Sequence, residues 1–124
     1  MKWYKQFDLV WIPVTDFKRS LDFYRDKLEL EPVSIDEELR WAEFRLSPGA
    51  KLAISAVKAI NADPIGAVVL EVESLEKAEL WLRGKGIKLL DKDTIGNQIR
   101  LGTFRDPDGN MIQIVELLQR SGKT

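Results

Sequence analysis

The residue types that most often carry enzyme chemistry are missing from this sequence. Among its 124 residues there is no histidine and no cysteine. That excludes a histidine triad or histidine general base, a thiolate nucleophile and any cysteine-ligated zinc. Carboxylates, Lys, Tyr, Ser, Thr or a bound cofactor would have to perform any catalysis. Two stretches still place polar groups at suggestive spacing. In "FRDPDGNMIQIVE" (104–116), Asp106, Asp108 and Asn110 alternate as in a cation loop. The spacing and closing glutamate of a calcium loop are absent, and Pro107 and Gly109 explain the segment as a tight turn between two strands. In "RWAEFRL" (40–46), strict alternation puts Trp41, Glu43 and Arg45 on one face of a strand and Ala42, Phe44 and Leu46 on the other. An indole, a carboxylate and a guanidinium side by side suit a ligand wall. They equally suit a solvated sheet face with ordinary cross-strand pairs.

The elements that must position these groups follow from hydrophobic periodicity. "FDLVWIPV" (7–14) reads as a strand covered on both faces, ending near Pro13. Thr15 or Asp16 caps a helix whose buried stripe is Phe17, Leu21, Tyr24 and Leu28, and Pro32 stops it. Strands follow at about 32–37, 40–46 and 51–57, with "SPGA" (47–50) as a hairpin turn. "KAINADPIG" (58–66) is a connecting loop. "AVVLEV" (67–72) is a strand, and Ser74 caps a helix that ends at Gly84 or Gly86, with Leu75, Ala78 and Leu82 as its stripe and Trp81 as packing or surface. "IKLL" (87–90) reads as a short strand, "DKDTIGN" as a loop, and "QIRLGTFR" and "MIQIVEL" as the last two strands.

This order repeats. Shifted by 58 residues, "LVWIPVTDFKRSLDFYRDK" lies over "AVVLEVESLEKAELWLRGK", and Val14 meets Val72, Phe17 meets Leu75 and Phe23 meets Trp81. Both halves read β-α-β-β-β, so a duplicated module is the better reading.

Composition narrows the function classes. The chain is 44% apolar and 31% charged with a net charge of −1, an ordinary globular balance. No basic footprint for nucleic acid or an anionic membrane is visible. "MKWYKQFDLVWIPV" lacks the long apolar run and small-residue cleavage site of a signal peptide, and no apolar run reaches the roughly 18 residues of a membrane span. One cytoplasmic domain is the expectation.

The pattern of "VTDFKRSLDFYRDKLEL", "GAKLAISA" and "FRDPDGNMIQIVE" resembles the vicinal oxygen chelate superfamily, the family of glyoxalase I, extradiol dioxygenases and bleomycin resistance proteins. The resemblance implies an α+β fold over 1–124: two βαβββ modules, about 7–57 and 67–117, joined by the linker 58–66. Their curled mixed sheets would enclose a cleft, with the helices on the outer face, and such proteins usually form homodimers. Metal-using members hold a divalent ion with four side chains, one from the first and one from the last strand of each module. Those positions fall here at Leu9, Ala53, Ala67 and Gln113. A leucine and two alanines offer no lone pair, and one neutral amide is a weak ligand on its own. The resemblance therefore comes without its metal, no cofactor is expected, and Gln113 stands as a remnant of the ligand set.

Strand parity relative to those positions sets the cleft lining. Leu9, Trp11, Ala53, Ser55, Ala67, Val69, Glu71, Met111, Gln113 and Val115 should share the inner face, joined by Ile99, Leu101 and Thr103 and by Trp41, Glu43 and Arg45. Val10, Ile12, Leu70, Phe104 and Ile112 should face the helices. Trp11 and Trp41 would stack on a flat ligand, while Glu43, Arg45, Glu71 and Gln113 orient its polar atoms, with Leu9 and Met111 as apolar contacts. Plainer readings stand beside these: Trp11 as core or dimer interface, Glu71 at a strand end in water, and Gln113 as a buried amide tied to backbone.

The leading expectation is a metal-free binding protein that holds a small, partly aromatic or apolar molecule and in one version sequesters a toxic compound or antibiotic. The alternative is an enzyme of the same superfamily in which Glu71 or Glu43, with a raised pKa, acts as general base beside Gln113, or in which a metal site goes unrecognised. A third reading has the clefts collapsed and the protein working through its surface. The donor count makes the first test simple. Untagged protein incubated with Zn²⁺, Ni²⁺, Mn²⁺ and Fe²⁺ and then desalted should retain far less than one metal per chain by elemental analysis. Stoichiometric retention would restore the enzyme reading.

Overall fold

A computed structural model describes residues 2, 5–59 and 67–118. Most of the linker reading, from 60 to 66, lies outside the described residues. The chain divides into two compact units, near residue 62. Each is a four-stranded mixed sheet with one helix packed against it. In the first unit the strands are β1 (Val10–Val14), β2 (Glu31–Asp36), β3 (Trp41–Ser47) and β4 (Ala50–Ala56), ordered β1-β4-β3-β2. In the second they are β5 (Val68–Glu71), β6 (Asp91–Ile95), β7 (Ile99–Arg105) and β8 (Met111–Leu117), ordered β5-β8-β7-β6. The first strand of each unit runs parallel to the last, and the remaining pairs are antiparallel hairpins.

Alternation decides which face is buried. Ala42 and Phe44 on β3 and Leu52 and Ile54 on β4 are fully or almost fully buried and meet Phe17, Leu21, Phe23 and Tyr24 of the helical segment. The Tyr24 ring stands edge-on to Phe23 at 5.1 Å and lies 6.2 Å from Phe44. Each such aromatic burial contributes about 1.5–3 kcal/mol. In the second unit Phe104, Ile112 and Ile114 fill the same role beneath Leu75 and Leu82 of α2 (Leu75–Gly84). Val10 departs from expectation. It pairs with Leu52 and so points to the helix side, yet it is 48% exposed, at the start of an edge strand.

Both helices start as their caps predict. The Asp16 carboxylate accepts from the Arg19 N–H at 3.1 Å, and the Ser74 hydroxyl accepts from the Lys77 N–H at 3.2 Å. They end differently. Gly86, at φ +80°, closes α2 in a Schellman motif, with Ile87 N–H donating to Leu82 C=O and Gly86 N–H to Arg83 C=O. The first helix, α1 (Phe17–Leu21), passes into a π-helical segment over Asp22–Lys27 instead of continuing as α. The wider turn brings the adjacent residues Phe23 and Tyr24 both into the core. It adds one residue between the cap and the left-handed terminus, which is Glu29 at φ +56°.

The stretch after α2 also differs from expectation. "IKLL" forms no strand, and "DKDTI", read as loop, is β6. Ile87 and Leu89 are buried as plugs between helix and sheet. Leu89 packs over Gly102, where an added Cβ would come within 2.7 Å of its Cδ1. β6 is an edge strand exposed along its whole length, so no apolar alternation marks it.

Glu29 makes the strain testable. An L-residue in the left-handed region costs about 1–2 kcal/mol, partly offset in a glycine variant by about 0.5–1 kcal/mol of unfolded-state entropy. Glu29→Gly should therefore stabilise the protein by roughly 0.5 kcal/mol in urea unfolding. A destabilisation would mean that the Glu29 side chain contributes more than its backbone costs.

Candidate functional site

The face of each sheet opposite its helix carries the polar groups. On the first sheet it is built by three adjacent strands. Trp11 on β1 pairs with Ala53 on β4, which pairs with Glu43 on β3; Trp41 pairs with Ser55, and Arg45 with Lys51. Trp11, Trp41, Glu43, Arg45, Ala53 and Ser55 therefore share one face, as parity predicts. Lys51 belongs with them and was missed, although it lies two residues before Ala53 and has the same parity.

Lys51 and Trp41 hold Glu43 between them. The Trp41 indole N–H donates to one carboxylate oxygen at 2.9 Å, and the Lys51 ammonium donates to the other at 3.2 Å. Lys51 also lies 3.4 Å from the Asp8 carboxylate. The Glu43 and Lys51 side chains are mostly covered, at 20% and 27% exposure, so the contacts are only partly screened by water. The Trp41 hydrogen bond, aided by Lys51 and opposed by partial burial, holds Glu43 below the ordinary carboxylate range. Hydrogen bonds to Glu43 and then Asp8 push Lys51 upward. The shift runs opposite to the raised value that the general-base reading of Glu43 supposes. Glu43 stays ionised and engaged at neutral pH, fitted to orient a neighbour more than to take a proton.

Beside this network lies a recess of about 380 Å³ lined by Gln6, Phe7, Asp8, Val33, Arg45, Gly49 and Lys51. Trp11 is 50% exposed and Phe7 60% exposed, so Trp11 is not core in this chain.

The corresponding face of the second sheet is simpler. Asp91, Thr103, Gln113 and Val69 form one register row across β6, β7, β8 and β5. The Gln113 amide donates to the Thr103 hydroxyl at 3.4 Å, a weak bond, and Thr103 is itself buried. Gln113, Thr103, Leu101, Asp91, Lys92 and Asp93 line a recess of about 370 Å³. Asp91 and Asp93 escaped notice because their segment reads as loop. Glu71 ends β5 in an exposed position opposite Val115, and Met111 begins β8, half-buried.

The family's metal positions can be checked against this register. Ala53 pairs with Trp11 as Gln113 pairs with Val69, so the two are equivalent across the repeat. Leu9 and Ala67 lie immediately before β1 and β5. The side chains of Leu9, Ala53 and Ala67 have no lone pair to offer, which leaves the Gln113 amide oxygen as a single neutral donor. These residues do not fit a divalent ion. Among the described residues no group of three or more acidic side chains offers a substitute. The acids of the "DPDGN" turn are occupied locally. The Asp106 carboxylate accepts from the Asp108 N–H, the Asn110 N–H and the Asn110 side-chain amide at 2.8–2.9 Å. No helix among the described residues is long and apolar enough to cross a membrane.

The lowered Glu43 has a sign to test. A depressed carboxylate contributes its stabilisation above its unfolded value and loses it as pH falls through the folded one. Glu43→Gln should thus lower thermal stability at neutral pH, and the difference from wild type should begin to shrink near the ordinary glutamate value of 4.5 and vanish once pH lies below the lowered folded value. An equal loss at both pH values would show that the Trp41–Glu43–Lys51 contacts act through packing alone.

Comparison with known proteins agrees with this architecture. Residues 6–114 match the family model of the Glyoxalase/Bleomycin resistance protein/Dioxygenase superfamily. The protein YraH of Bacillus subtilis is 29% identical over 119 residues, covering 85% of this chain and 93% of YraH. The crystal structure of a glyoxalase/bleomycin resistance protein from Catenulispora acidiphila is similar at a TM-score of 0.74 and 27% identity, over 91% of this chain and 99% of that one. A glyoxalase family protein from Enterococcus faecalis shares the fold at a TM-score of 0.75 and 21% identity, over 93% of this chain and 100% of that one. With two βαβββ units in the order the superfamily uses and a match over nearly its whole described length, the chain belongs to the Glyoxalase/Bleomycin resistance protein/Dioxygenase superfamily.

Proposed function

We propose that this protein binds a small, partly aromatic or apolar molecule on the helix-free face of its first unit, as a cytoplasmic homodimer, and that sequestration of a toxic compound or antibiotic is the use it serves. The observation that carries the reading is the exposed indole of Trp11, aligned in register with the Trp41–Glu43–Lys51 network. Exposed rings next to fixed polar groups are how small-molecule sites are composed. The resistance-protein branch of the superfamily supports the choice of ligand class, and so does the name of the Catenulispora acidiphila relative. The enzyme reading is weaker, since Glu43 is held ionised by two donors.

Magnitudes bound what the rings supply. Covering the exposed parts of Trp11 and Phe7 removes roughly 200 Å² from water, worth about 4–5 kcal/mol. That alone supports only about a millimolar complex. A tighter complex needs polar contacts as well.

Titration of the protein with neutral N-phenylnaphthylamine, followed by tryptophan quenching and probe emission, tests the reading. Saturable binding is expected, and Trp11→Ala should weaken it about tenfold or more, as loss of one aromatic contact does. Unchanged binding by Trp11→Ala would place the ligand elsewhere, and no binding by the wild type would remove the reading.

A further inference from the structure

We infer that the recess beside the β3–β4 turn receives an anionic group of the ligand, with Arg45 as its specificity-determining anchor. The inference rests on the binding function proposed above and names the class of ligand: an aromatic or apolar body bearing a carboxylate, sulfonate or phosphate.

Four observations converge on Arg45. It lines the recess with Phe7 and Val33, which offer apolar walls at 60% and 41% exposure. Among the described residues its guanidinium makes no hydrogen bond or ion pair, although Glu31 is its register partner on β2. It stands directly opposite Lys51, an unfavourable pairing of like charges, and only Lys51 is neutralised, by Glu43 and Asp8. Register irregularities lie on both sides of it, between Pro32 and Ser34 on β2 and between Arg45 and Ser47 on β3. Bulges re-aim side chains and gather beside functional sites.

The second unit supplies the contrast. Arg105 lies at the end of β7 opposite Met111, the place Arg45 holds opposite Lys51, and its guanidinium donates to the Gly109 carbonyl at 2.8 Å. That arginine fastens its own turn, and the strand pairs around it run without a register shift. Arg45 has no such duty. Its planar fork remains available to a two-oxygen anion, the geometry guanidinium groups recognise best.

Paired probes test this. Anionic anilinonaphthalenesulfonate and neutral N-phenylnaphthylamine share an aromatic body and differ in charge. Wild type should bind the anion more tightly, by about fivefold to tenfold, as one exposed charge-assisted contact allows. Arg45→Gln should abolish that preference and leave the neutral probe within twofold, with Arg45→Lys intermediate. Arg100→Gln, a charge change in the other unit, should leave the preference intact. An unchanged preference in Arg45→Gln, or equal weakening of both probes, overturns the anchor while the binding function stands. Failure of the wild type to bind either probe overturns both.

Discussion

Burial of Tyr24 against Phe23 and Phe44 settles which face of the first sheet is covered by the helix and which is left open. Side chains alternate along a strand, so once Ala42 and Phe44 are committed to the helix, Trp41, Glu43 and Arg45 have only the opposite face. The same holds on β4, where Leu52 and Ile54 lie under the helix and Lys51, Ala53 and Ser55 do not. The polar network therefore depends on an apolar contact it never touches. A slip of one residue in either strand would bury Glu43 and Lys51 beneath the helix, at a cost of several kcal/mol for each unpaired charge. Register is thus fixed from both sides of the sheet.

The two units share one plan and use it differently. Where the second keeps Gln113 bonded to Thr103, the first has Ala53 beside Glu43, and the carboxylate is held by an indole and an ammonium. At the turn, Arg105 is spent on backbone while Arg45 is not. The π-helical segment and the strand irregularities also occur only in the first unit among the described residues. The strand irregularities lie beside the exposed aromatics and the recess, where local regularity is expected to yield to function, while the π-helical segment lies on the other side of the sheet. Three of the superfamily's four ligand positions, by contrast, are filled with side chains that have no lone pair, and Gln113 alone is a weak ligand, so these positions give divalent-metal chemistry no support.

Much of this was legible in the sequence, for identifiable reasons. The caps Asp16 and Ser74, the turn at Pro107–Gly109 and the strict alternation of "RWAEFRL" are local signals, and local signals survive folding. The 58-residue repeat multiplied their weight. What escaped was set by tertiary context. The "IKLL" stretch is apolar because Ile87 and Leu89 fill a gap beneath α2, a role that looks like a strand until Gly102 is seen to make room for it. β6 is a strand because β7 offers it an edge; its own residues carry no alternation. The π turn has no composition signal. Lys51 has the parity of Ala53 and is legible from alternation, whereas Asp8 precedes β1 and has the parity of Val10, so alternation does not place it beside Lys51. Glu43 was legible as the neighbour of Trp41 on one strand face, whereas its second donor, Lys51, comes from β4, a pairing that alternation within β3 does not give.

The helix-free face of the first unit is the binding surface we propose. NMR of the indole N–H groups during titration with anilinonaphthalenesulfonate tests it most directly, because Trp11 and Trp41 report from that face and Trp81 from the exposed side of α2. Saturable shifts of the Trp11 and Trp41 signals are expected, with Trp81 unmoved. Shifts confined to Trp81, or a Trp11 signal that stays still while the probe binds, would contradict it.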